Sequence, residues 1–400
     1  MLGQASRSWL PFTQMTTFAP EDRCFVRGFG TRLEDRRGRT LFDAVSSIWT
    51  IVHGHGHPFI VEAIARQAAT LDHATMLGAT NPVAESLAQR LCALTRMDRA
   101  FFASDGASAV EAALKLALQY WQNAGEPQRQ RFVRLRDAYH GDTAGAMSVS
   151  DIEPFKSRFS TISFESYDLD AAPWDDVAAV IVEPVVQAAA GMRIVEPARY
   201  GRLRGMKPLL IVDEIATGFG RTGSMFGGDA LDVTPDLMCL GKGLSGGVLP
   251  LSATLASDRV YAAFLGAPDS RRHFFHGHSF AGNPVACAAA VASLELFERE
   301  GTLQRAAALA RRAASRLEYL ARHRLVRDVR QAGCMIGVEL RSELLDAGGH
   351  ATAAWRVADA LYDRGQFTRP IGDTIQLVPP LSSSEEEIEE FFDALEAELA

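Results

Sequence analysis

The chain has 400 residues, of which 47% are hydrophobic and 22% are charged, and its formal net charge at pH 7 is −8. This is the composition of an ordinary globular protein, and at roughly 150 residues per domain the length predicts two or three domains. The acidic balance argues against nucleic acid or an anionic membrane surface as a partner.

Cysteine usage and the N-terminal sequence indicate the compartment. The five cysteines are odd in number and widely spaced, and no CxxC motif occurs. This pattern favours buried thiols in a reducing compartment over disulfides or a zinc site. MLGQASRSWLPF has no apolar core like that of a signal peptide, and no run of about 18 apolar residues follows. We therefore expect a cytoplasmic protein that does not span a membrane.

The predicted elements begin with short strands joined by a Gly-rich turn, near residues 24–44. Helical periodicity follows in PFIVEAIARQAATL, VAESLAQRLCAL and SAVEAALKLALQYWQNAG. Helices then alternate with the short apolar runs RFVRL, DVAAVIVEP, PLLIVDE and LMCLGK. Such runs are typical of buried strands in the parallel sheet of an α/β protein.

The pattern changes from about residue 290. One long helix is predicted from CAAAVASLELFERE through RRAASRLEYLARH, followed by strand-like MIGVEL and the helix AWRVADALYDRG. Strand-like TIQLVPP and a final acidic helix beginning near SEEEIEEFF complete the chain. This succession predicts a smaller α+β domain, with which the first residues of the chain also pack.

The segment 208–247 carries the most informative chemistry. An apolar strand ends at Asp213 and Glu214, and the next strand, LMCL, is followed by Lys242 among glycines. In open α/β sheets ligands bind at the carboxyl ends of strands, so Asp213 and Lys242 face one crevice. The pair alone is compatible with a salt bridge, but the surrounding glycines leave room for a large ligand.

Pyridoxal 5′-phosphate (PLP) is a cofactor that needs this pair. It forms a Schiff base with a lysine, and a carboxylate keeps its pyridine nitrogen protonated. Residues 101–115, FFASDGASAVEAALK, run from a strand through a Gly turn into a helix. Free N–H groups and the helix dipole at such a turn suit a phosphate, although Ser and Gly are also common helix caps.

These motifs resemble those of the class III, fold-type I, PLP-dependent aminotransferases. LLIVDEIATGFGRTG followed by LGKGLSGG is the strongest match. Within the class the chain is similar to the 7,8-diaminopelargonate synthases of biotin synthesis, which use S-adenosylmethionine as amino donor. PFTQMT, SSIWTIVHGHGHP, YHGDTAGAMSVSD, IVEPVVQAAAGM and FFHGHSFAGNPVACAAA extend the similarity over nearly the whole chain.

The resemblance implies an architecture and an assembly. It implies an α/β fold whose large domain, residues 47–298, contains a mostly parallel seven-stranded sheet. A smaller α+β domain then combines residues 1–46 and 299–400. The active site lies between the domains of a homodimer, at the interface between its subunits.

The resemblance also implies a role for each site residue. Lys242 is the Schiff-base lysine and proton shuttle, Asp213 pairs with the pyridine nitrogen, and Tyr139 stacks on the ring. Further cofactor contacts are implied for Gly106 and Ala107 at the phosphate, Gln187 near the ring hydroxyl, and Ser279, which reaches the phosphate of the partner subunit. Arg369 matches the arginine that binds a substrate carboxylate.

Several positions depart from the diaminopelargonate synthases. Phe12 replaces a tyrosine, Ile48 replaces the first of two adjacent tryptophans before Trp49, and Gln376 replaces a tyrosine seven residues after the carboxylate-binding arginine. These four are the expected substrate-pocket residues besides Arg369. Loss of a hydroxyl that binds substrate lowers transition-state binding. We therefore expect the cofactor chemistry to be retained with another acceptor, in specialised metabolism rather than biotin synthesis.

Three other functions stay open. In the first, the chain is an authentic diaminopelargonate synthase. In the second, the same residues support γ-replacement, transferring the aminocarboxypropyl group of S-adenosylmethionine to a nucleophile. The third is a cofactor-free binding protein, against which the presence of Lys242, Asp213 and Tyr139 argues. His53, His55 and His57 suggest a metal site at first sight, but they stand in a Gly-rich turn beside the expected pocket, and no metal is predicted.

Overall fold

The computed structural model describes residues 6–16, 18, 23–153 and 155–400. In chain order its strands are β1 Phe25–Phe29, β2 Arg32–Asp35, β3 Thr40–Asp43, β4 Arg99–Ala103, β5 Arg131–Arg134, β6 Ser166–Asp168, β7 Val177–Val182, β8 Val186–Gln187, β9 Arg193–Ile194, β10 Leu209–Asp213, β11 Leu237–Leu240, β12 Ser252–Ala256, β13 Val326–Ala332, β14 Met335–Leu340, β15 Gln366–Phe367 and β16 Thr374–Leu377.

The α-helices cover the faces and the C-terminal part of the molecule. They are Pro58–Thr70, Pro82–Thr95, Gly106–Asn123, Ala144–Ser148, Pro197–Gly201, Asp258–Ala262, Pro284–Arg299, Thr302–Leu320, Ala353–Asp363 and Glu385–Leu399. No helix in the described ranges is long and apolar enough to cross a membrane.

The largest sheet within the described part of the chain has seven strands in the order β4-β12-β11-β10-β7-β5-β6. β12 runs antiparallel to both of its neighbours, whereas the other pairs are parallel. The strands β7, β10 and β11 are buried along their whole length, which explains why they are almost entirely apolar. The predicted mostly parallel seven-stranded sheet is confirmed.

The remaining sheets join distant parts of the sequence. β1, β2, β3 and β15 form one sheet in that order, with β15 paired to β3, so that residues near the N-terminus share a sheet with residues 366–367. β13, β14 and β16 form an antiparallel sheet within the C-terminal part. This pairing is compatible with a small domain built from residues 1–46 and 299–400, although the division at residues 47 and 298 remains a prediction.

The predicted long C-terminal helix is two helices in the structure. Pro284–Arg299 and Thr302–Leu320 are separated by Glu300 and Gly301. Gly301 adopts φ 60°, a left-handed conformation that glycine reaches at little cost and that commonly ends helices. Continuous Ala- and Leu-rich periodicity on both sides concealed this break.

The three histidines of IWTIVHGHGHP bond to separate partners. His53 lies 3.2 Å from Ser293 Oγ, His55 Nε2 lies 2.8 Å from Asp43 Oδ2, and His57 Nε2 lies 3.0 Å from Glu300 Oε1. Among the residues that the structure describes, no group of three or more His, Cys, Asp or Glu side chains could hold a metal ion. The histidines thus connect this turn to its surroundings.

His53 makes stability depend on pH. Burial lowers the pKa of His53 from 6.5 to about 4, so the unfolded chain binds a proton in this interval that the folded chain does not. The contribution of neutral His53 is present above pH 6.5 and is lost as the pH falls toward 4. We expect His53→Gln to reduce this acid loss by about 2 kcal/mol, measured as unfolding free energies at pH 7 and 4.5.

Two buried acids have the opposite effect on the pH dependence of stability. The effect of His53 is therefore measured as the difference between wild type and His53→Gln. Burial raises the pKa of Glu183 and Glu214 to about 7, which favours the folded state as the pH falls. Both acids are present in wild type and in His53→Gln, and the difference between the two proteins isolates His53. The exposed His273, replaced by Gln, is the control, and an equal pH dependence in His53→Gln and wild type would contradict the assignment.

Candidate active site

A cavity of about 480 Å³ opens at the carboxyl ends of the parallel strands. Its size is that of a typical small-molecule site. It is lined by Trp49, Asp105, Gly106, Ala107, Tyr139, His140, Gly141, Asp142, Thr143, Glu183, Ala189, Asp213, Ile215, Ala216 and Lys242. The structure therefore brings together six sequence-predicted residues: Lys242, Asp213, Tyr139, Gly106, Ala107 and Trp49.

Lys242 projects into the cavity immediately after β11. Its backbone is left-handed, with φ 43°, and its Nζ has no hydrogen-bond or ion-pair partner in the described part of the chain. The nearest aromatic group is the Trp49 ring, whose centroid lies 5.1 Å from Nζ. Loss of solvent lowers the pKa of Lys242, although Asp213 and Glu183 oppose the shift. A free amine of lowered pKa is suited to attack a carbonyl group.

Asp213 is the last residue of β10 and is held in one orientation. Its Oδ2 lies 2.7 Å from His140 Nδ1, and its Oδ1 accepts a hydrogen bond of 3.0 Å from the backbone N–H of Ile215. Both Asp213 and His140 are buried. The carboxylate thus offers a fixed negative charge to a cationic or protonated ring nitrogen.

The opposite end of the cavity is the N-terminus of helix Gly106–Asn123. The first four N–H groups of a helix have no partner within the helix. Asp105 caps this one, since its Oδ1 accepts from Ser108 N at 2.9 Å and its carbonyl accepts from Ala109 N. The N–H groups of Gly106 and Ala107 remain for a ligand, and the helix dipole favours an anion there.

Tyr139 and Ile215 are the large side chains between these two ends. The Tyr139 hydroxyl donates to Asp142 Oδ2 at 2.9 Å, and its backbone N–H donates to Glu183 Oε2 at 3.1 Å. Gly141 follows with φ 130°, and a Cβ there would lie 2.6 Å from the Ala107 Cβ. A glycine is therefore required for the tyrosine loop to approach the helix start.

The remaining predicted cofactor residues lie outside this cavity. Gln187 is buried and donates from Nε2 to the Arg136 carbonyl at 2.8 Å. Ser279 is exposed, near the exposed apolar side chains of Phe275 and Phe280. The roles predicted for Gln187 and Ser279 stay predictions.

The predicted substrate residues divide into two groups. Trp49 Nε1 donates to Gln376 Oε1 at 2.9 Å, and Gln376 Nε2 donates to the Arg369 carbonyl. The Arg369 guanidinium is partly buried over the Trp355 ring, with 5.5 Å from Cζ to the ring centroid. It forms no salt bridge within the described ranges, and burial lowers the pKa of Arg369.

Phe12 and Ile48 form the second group, at the surface of the chain. Phe12 is 57% exposed, and its ring lies 4.9 Å from that of Phe155, which in turn lies 6.5 Å from the Tyr139 ring. Ile48 is 39% exposed and adjoins Trp49. Neither side chain lines the cavity itself.

Among the cavity residues not predicted from the sequence, His140, Glu183 and Ile215 position the predicted ones. His140 holds Asp213, Glu183 holds the Tyr139 backbone, and Ile215 packs against Gly106, whose added Cβ would lie 2.9 Å from Ile215 Cγ2. Their positions carried a signal, since Ile215 and Glu183 follow buried strands and His140 follows the predicted tyrosine. What the sequence lacks is the register that brings the three loops together.

The residues present fit PLP. An unpaired amine suits its aldehyde, an oriented carboxylate suits its pyridine nitrogen, and a helix N-terminus suits its phosphate. The aromatic and aliphatic side chains of Tyr139 and Ile215 suit the two faces of a ring. These complementary features occur in one cavity of adequate size.

Comparison with known proteins agrees with this chemistry. The family model for aminotransferase class III matches residues 17–399. An adenosylmethionine-8-amino-7-oxononanoate aminotransferase from Synechococcus elongatus is 41% identical, with 97% of each chain covered. The protein of that name from Aquifex aeolicus is 39% identical and covers 97% of this chain and 94% of its own.

Solved structures give the same relationship. The adenosylmethionine-8-amino-7-oxononanoate aminotransferase of Methanocaldococcus jannaschii superimposes with a TM-score of 0.91 at 37% identity, covering 98% of this chain and 96% of its own. A PLP-bound amine transaminase from an uncultivated Pseudomonas species has a TM-score of 0.90 at 33% identity, with 98% of both chains covered. The chain therefore belongs to the class III aminotransferases and is a PLP-dependent enzyme of fold type I that transfers amino groups.

Proposed function

We propose that the enzyme transfers the amino group of S-adenosylmethionine to 8-amino-7-oxononanoate, as the names of its relatives state for them. The observation that carries the proposal is the Arg369 guanidinium, which is partly buried without a carboxylate partner among the described residues. A desolvated guanidinium is stabilised by a bidentate carboxylate, and both proposed substrates carry one. Specialised metabolism, expected from the sequence alone, becomes the second candidate.

Each residue of the cavity has its own proposed role in amino transfer. Lys242 would hold the cofactor through its Nζ, and the same amine would be the base for the Cα proton of the donor. Asp213, oriented by His140, would hold the proton on the pyridine nitrogen. PLP, when bound, supplies the electron sink for the electron pair left at the donor Cα. Tyr139 and Ile215 would contact the two faces of the ring, and the backbone N–H groups of Gly106 and Ala107 would bind the phosphate.

A changed acceptor is the second candidate, favoured by one group of residues. Phe12 and Ile48 supply neither the hydroxyl nor the indole that the sequence similarity leads one to expect beside the acceptor. A site lacking a hydroxyl cannot hydrogen-bond the matching substrate group and tolerates an apolar one. The second candidate therefore keeps the donor reaction and replaces 8-amino-7-oxononanoate by a more apolar ketone or aldehyde.

A homodimer is part of the proposal. Leu77, Phe275 and Phe280 are exposed apolar side chains, and Leu77 adjoins Gly277, two residues before Ser279. Such a patch beside a predicted cofactor residue suits contact with a second copy of the chain. In the dimer Ser279 would complete the phosphate site of the partner. A cytoplasmic location is also proposed, supported by five free cysteines.

A two-stage experiment tests the proposed donor and acceptor. Incubation of the PLP-loaded enzyme with S-adenosylmethionine alone should bleach the visible cofactor band and leave trapped pyridoxamine phosphate. Added 8-amino-7-oxononanoate should restore the band. Restoration only by other carbonyl compounds supports the second candidate.

Other results contradict the donor assignment. An unbleached band with S-adenosylmethionine, together with bleaching by another amine, would show that the donor is different. Release of methylthioadenosine without pyridoxamine phosphate would favour γ-replacement over amino transfer. A panel of amino acids and simple amines under the same conditions provides the control.

A further inference from the structure

The cavity wall that carries Trp49 has an unusual backbone. The four residues from Ser46 to Trp49 have φ values of 48°, 48°, 65° and 65°. All four backbones are therefore left-handed, although none of the residues is a glycine. This conformation costs an L-residue roughly 1–2 kcal/mol. The turn therefore depends on contacts from the rest of the protein to keep the indole at the cavity.

The backbone of this turn is bound on two sides. The buried Asp43 carboxylate accepts from Ser47 N at 3.0 Å and from Ser47 Oγ at 2.8 Å. On the other side, Ser46 Oγ donates to the Val378 carbonyl at 2.7 Å, immediately after β16. The buried Arg221 also connects these segments, because it donates to the carbonyls of Ile51 and Pro379.

The indole itself is held by Gln376 on β16. Gln376 is 1% exposed, and both polar atoms of its side chain are used. Its Oε1 accepts from Trp49 Nε1, and its Nε2 donates to the Arg369 carbonyl. An indole N–H only donates and a carbonyl only accepts, so the two partners fix the orientation of the amide.

We propose that Gln376 is a positioning residue that fixes the indole of Trp49 relative to the segment carrying Arg369. The proposal rests on the proposed function, in which Arg369 binds the donor carboxylate. Gln376 then sets the spacing between the wall beside Lys242 and the carboxylate anchor. A displacement of 1 Å at such a site costs about 100-fold in rate.

The spacing selects among amine donors. A donor is productive only if its amino group reaches Lys242 while its carboxylate reaches Arg369. The Trp49 indole and the Arg369 backbone are connected by the buried amide of Gln376. The wall beside Lys242 and the carboxylate anchor therefore do not move independently. Gln376 is buried and does not line the cavity, so its effect reaches the donor through these two neighbours.

The test is a pair of double-mutant cycles measured as kcat/KM for S-adenosylmethionine. Gln376→Leu, which removes both hydrogen bonds, should lower kcat/KM by about 10- to 100-fold. When Gln376→Leu is combined with Trp49→Phe or with Arg369→Met, the loss of kcat/KM should be smaller than the product of the two single losses, because the residues act together. Multiplicative losses in both cycles would overturn the proposal.

Matched variants separate positioning from stability. Gln331→Leu also removes two side-chain bonds to carbonyls, those of Ala310 and Gly333, outside the site, and should leave kcat/KM and both cycles unchanged. If Gln376→Leu does not fold, Gln376→Glu replaces it. At a pH high enough to ionise the buried carboxyl group, it still accepts from the indole but cannot donate to the Arg369 carbonyl, so Gln376→Glu should couple to Arg369→Met and not to Trp49→Phe. The absence of coupling to Arg369→Met would then overturn the proposal.

A different result would contradict the proposed function, in which Arg369 binds the donor carboxylate. If Arg369→Met does not raise the KM for S-adenosylmethionine, the carboxylate anchor is wrong and the proposed donor falls with it. If Arg369→Met raises KM while the Gln376 cycles are multiplicative, only the positioning role is wrong.

Discussion

Replacement of Lys242 by alanine will lower turnover by about 10⁴-fold or more, because it removes both the covalent anchor and the proton shuttle. Lys242 is the amine in the cavity without a partner among the described residues, and its lowered pKa increases the neutral, nucleophilic fraction. The substitution should leave the fold intact, since no described side chain loses a hydrogen bond or ion pair. The measurements are the rate of amino transfer and the visible band of the bound cofactor.

Two controls make the result specific to the amine of Lys242. Lys207→Ala removes an exposed lysine that pairs with Glu126, and it should keep near-wild-type activity. Lys242→Arg retains a positive charge in the cavity but not a nucleophilic amine, and it should be as inactive as Lys242→Ala. Substantial turnover by Lys242→Ala would refute the assigned role.

The sequence pattern predicted the central strands of the large sheet because they are buried on both faces. Short apolar runs followed by glycine, proline or a charged residue indicate β7, β10 and β11. The antiparallel strand β12 was missed, since SATLA is rich in small residues. Its place between β4 and β11 is decided by tertiary pairing, which no local pattern records.

The site was predictable where chemistry and strand ends coincide. Asp213 and Lys242 each follow a buried strand, and parallel strands bring their carboxyl ends to one edge. The left-handed turn at Trp49 was not predictable, because Ser46-Ser47-Ile48-Trp49 contains no glycine. Its conformation depends on the nearby Asp43 and on Val378, which is distant in sequence and is brought close only by the fold.

The same reasoning applies to Gln376. From the sequence it is a substituted pocket residue, whereas in the structure both atoms of its amide bond to protein groups. A single substitution thus indicates that a position has changed but not which neighbour the new side chain contacts. That distinction depends on the register of β16 against β14, where Gln376 lies opposite Gly337.

Asp213→Asn is expected to lower kcat/KM by about 10²- to 10⁴-fold while the cofactor stays bound. Asparagine keeps the size of the side chain and an acceptor for Ile215 N, but it removes the negative charge that stabilises a protonated pyridine nitrogen. The visible band of the bound cofactor should shift, because the ring nitrogen then loses its proton.

Asp236→Asn, which alters a carboxylate bonded to Leu210 N and Arg259 outside the cavity, is the matched control and should retain activity. Equal activity and an unshifted band in Asp213→Asn would show that Asp213 serves only to hold His140, whereas loss of activity with a shifted band supports its role at the ring nitrogen.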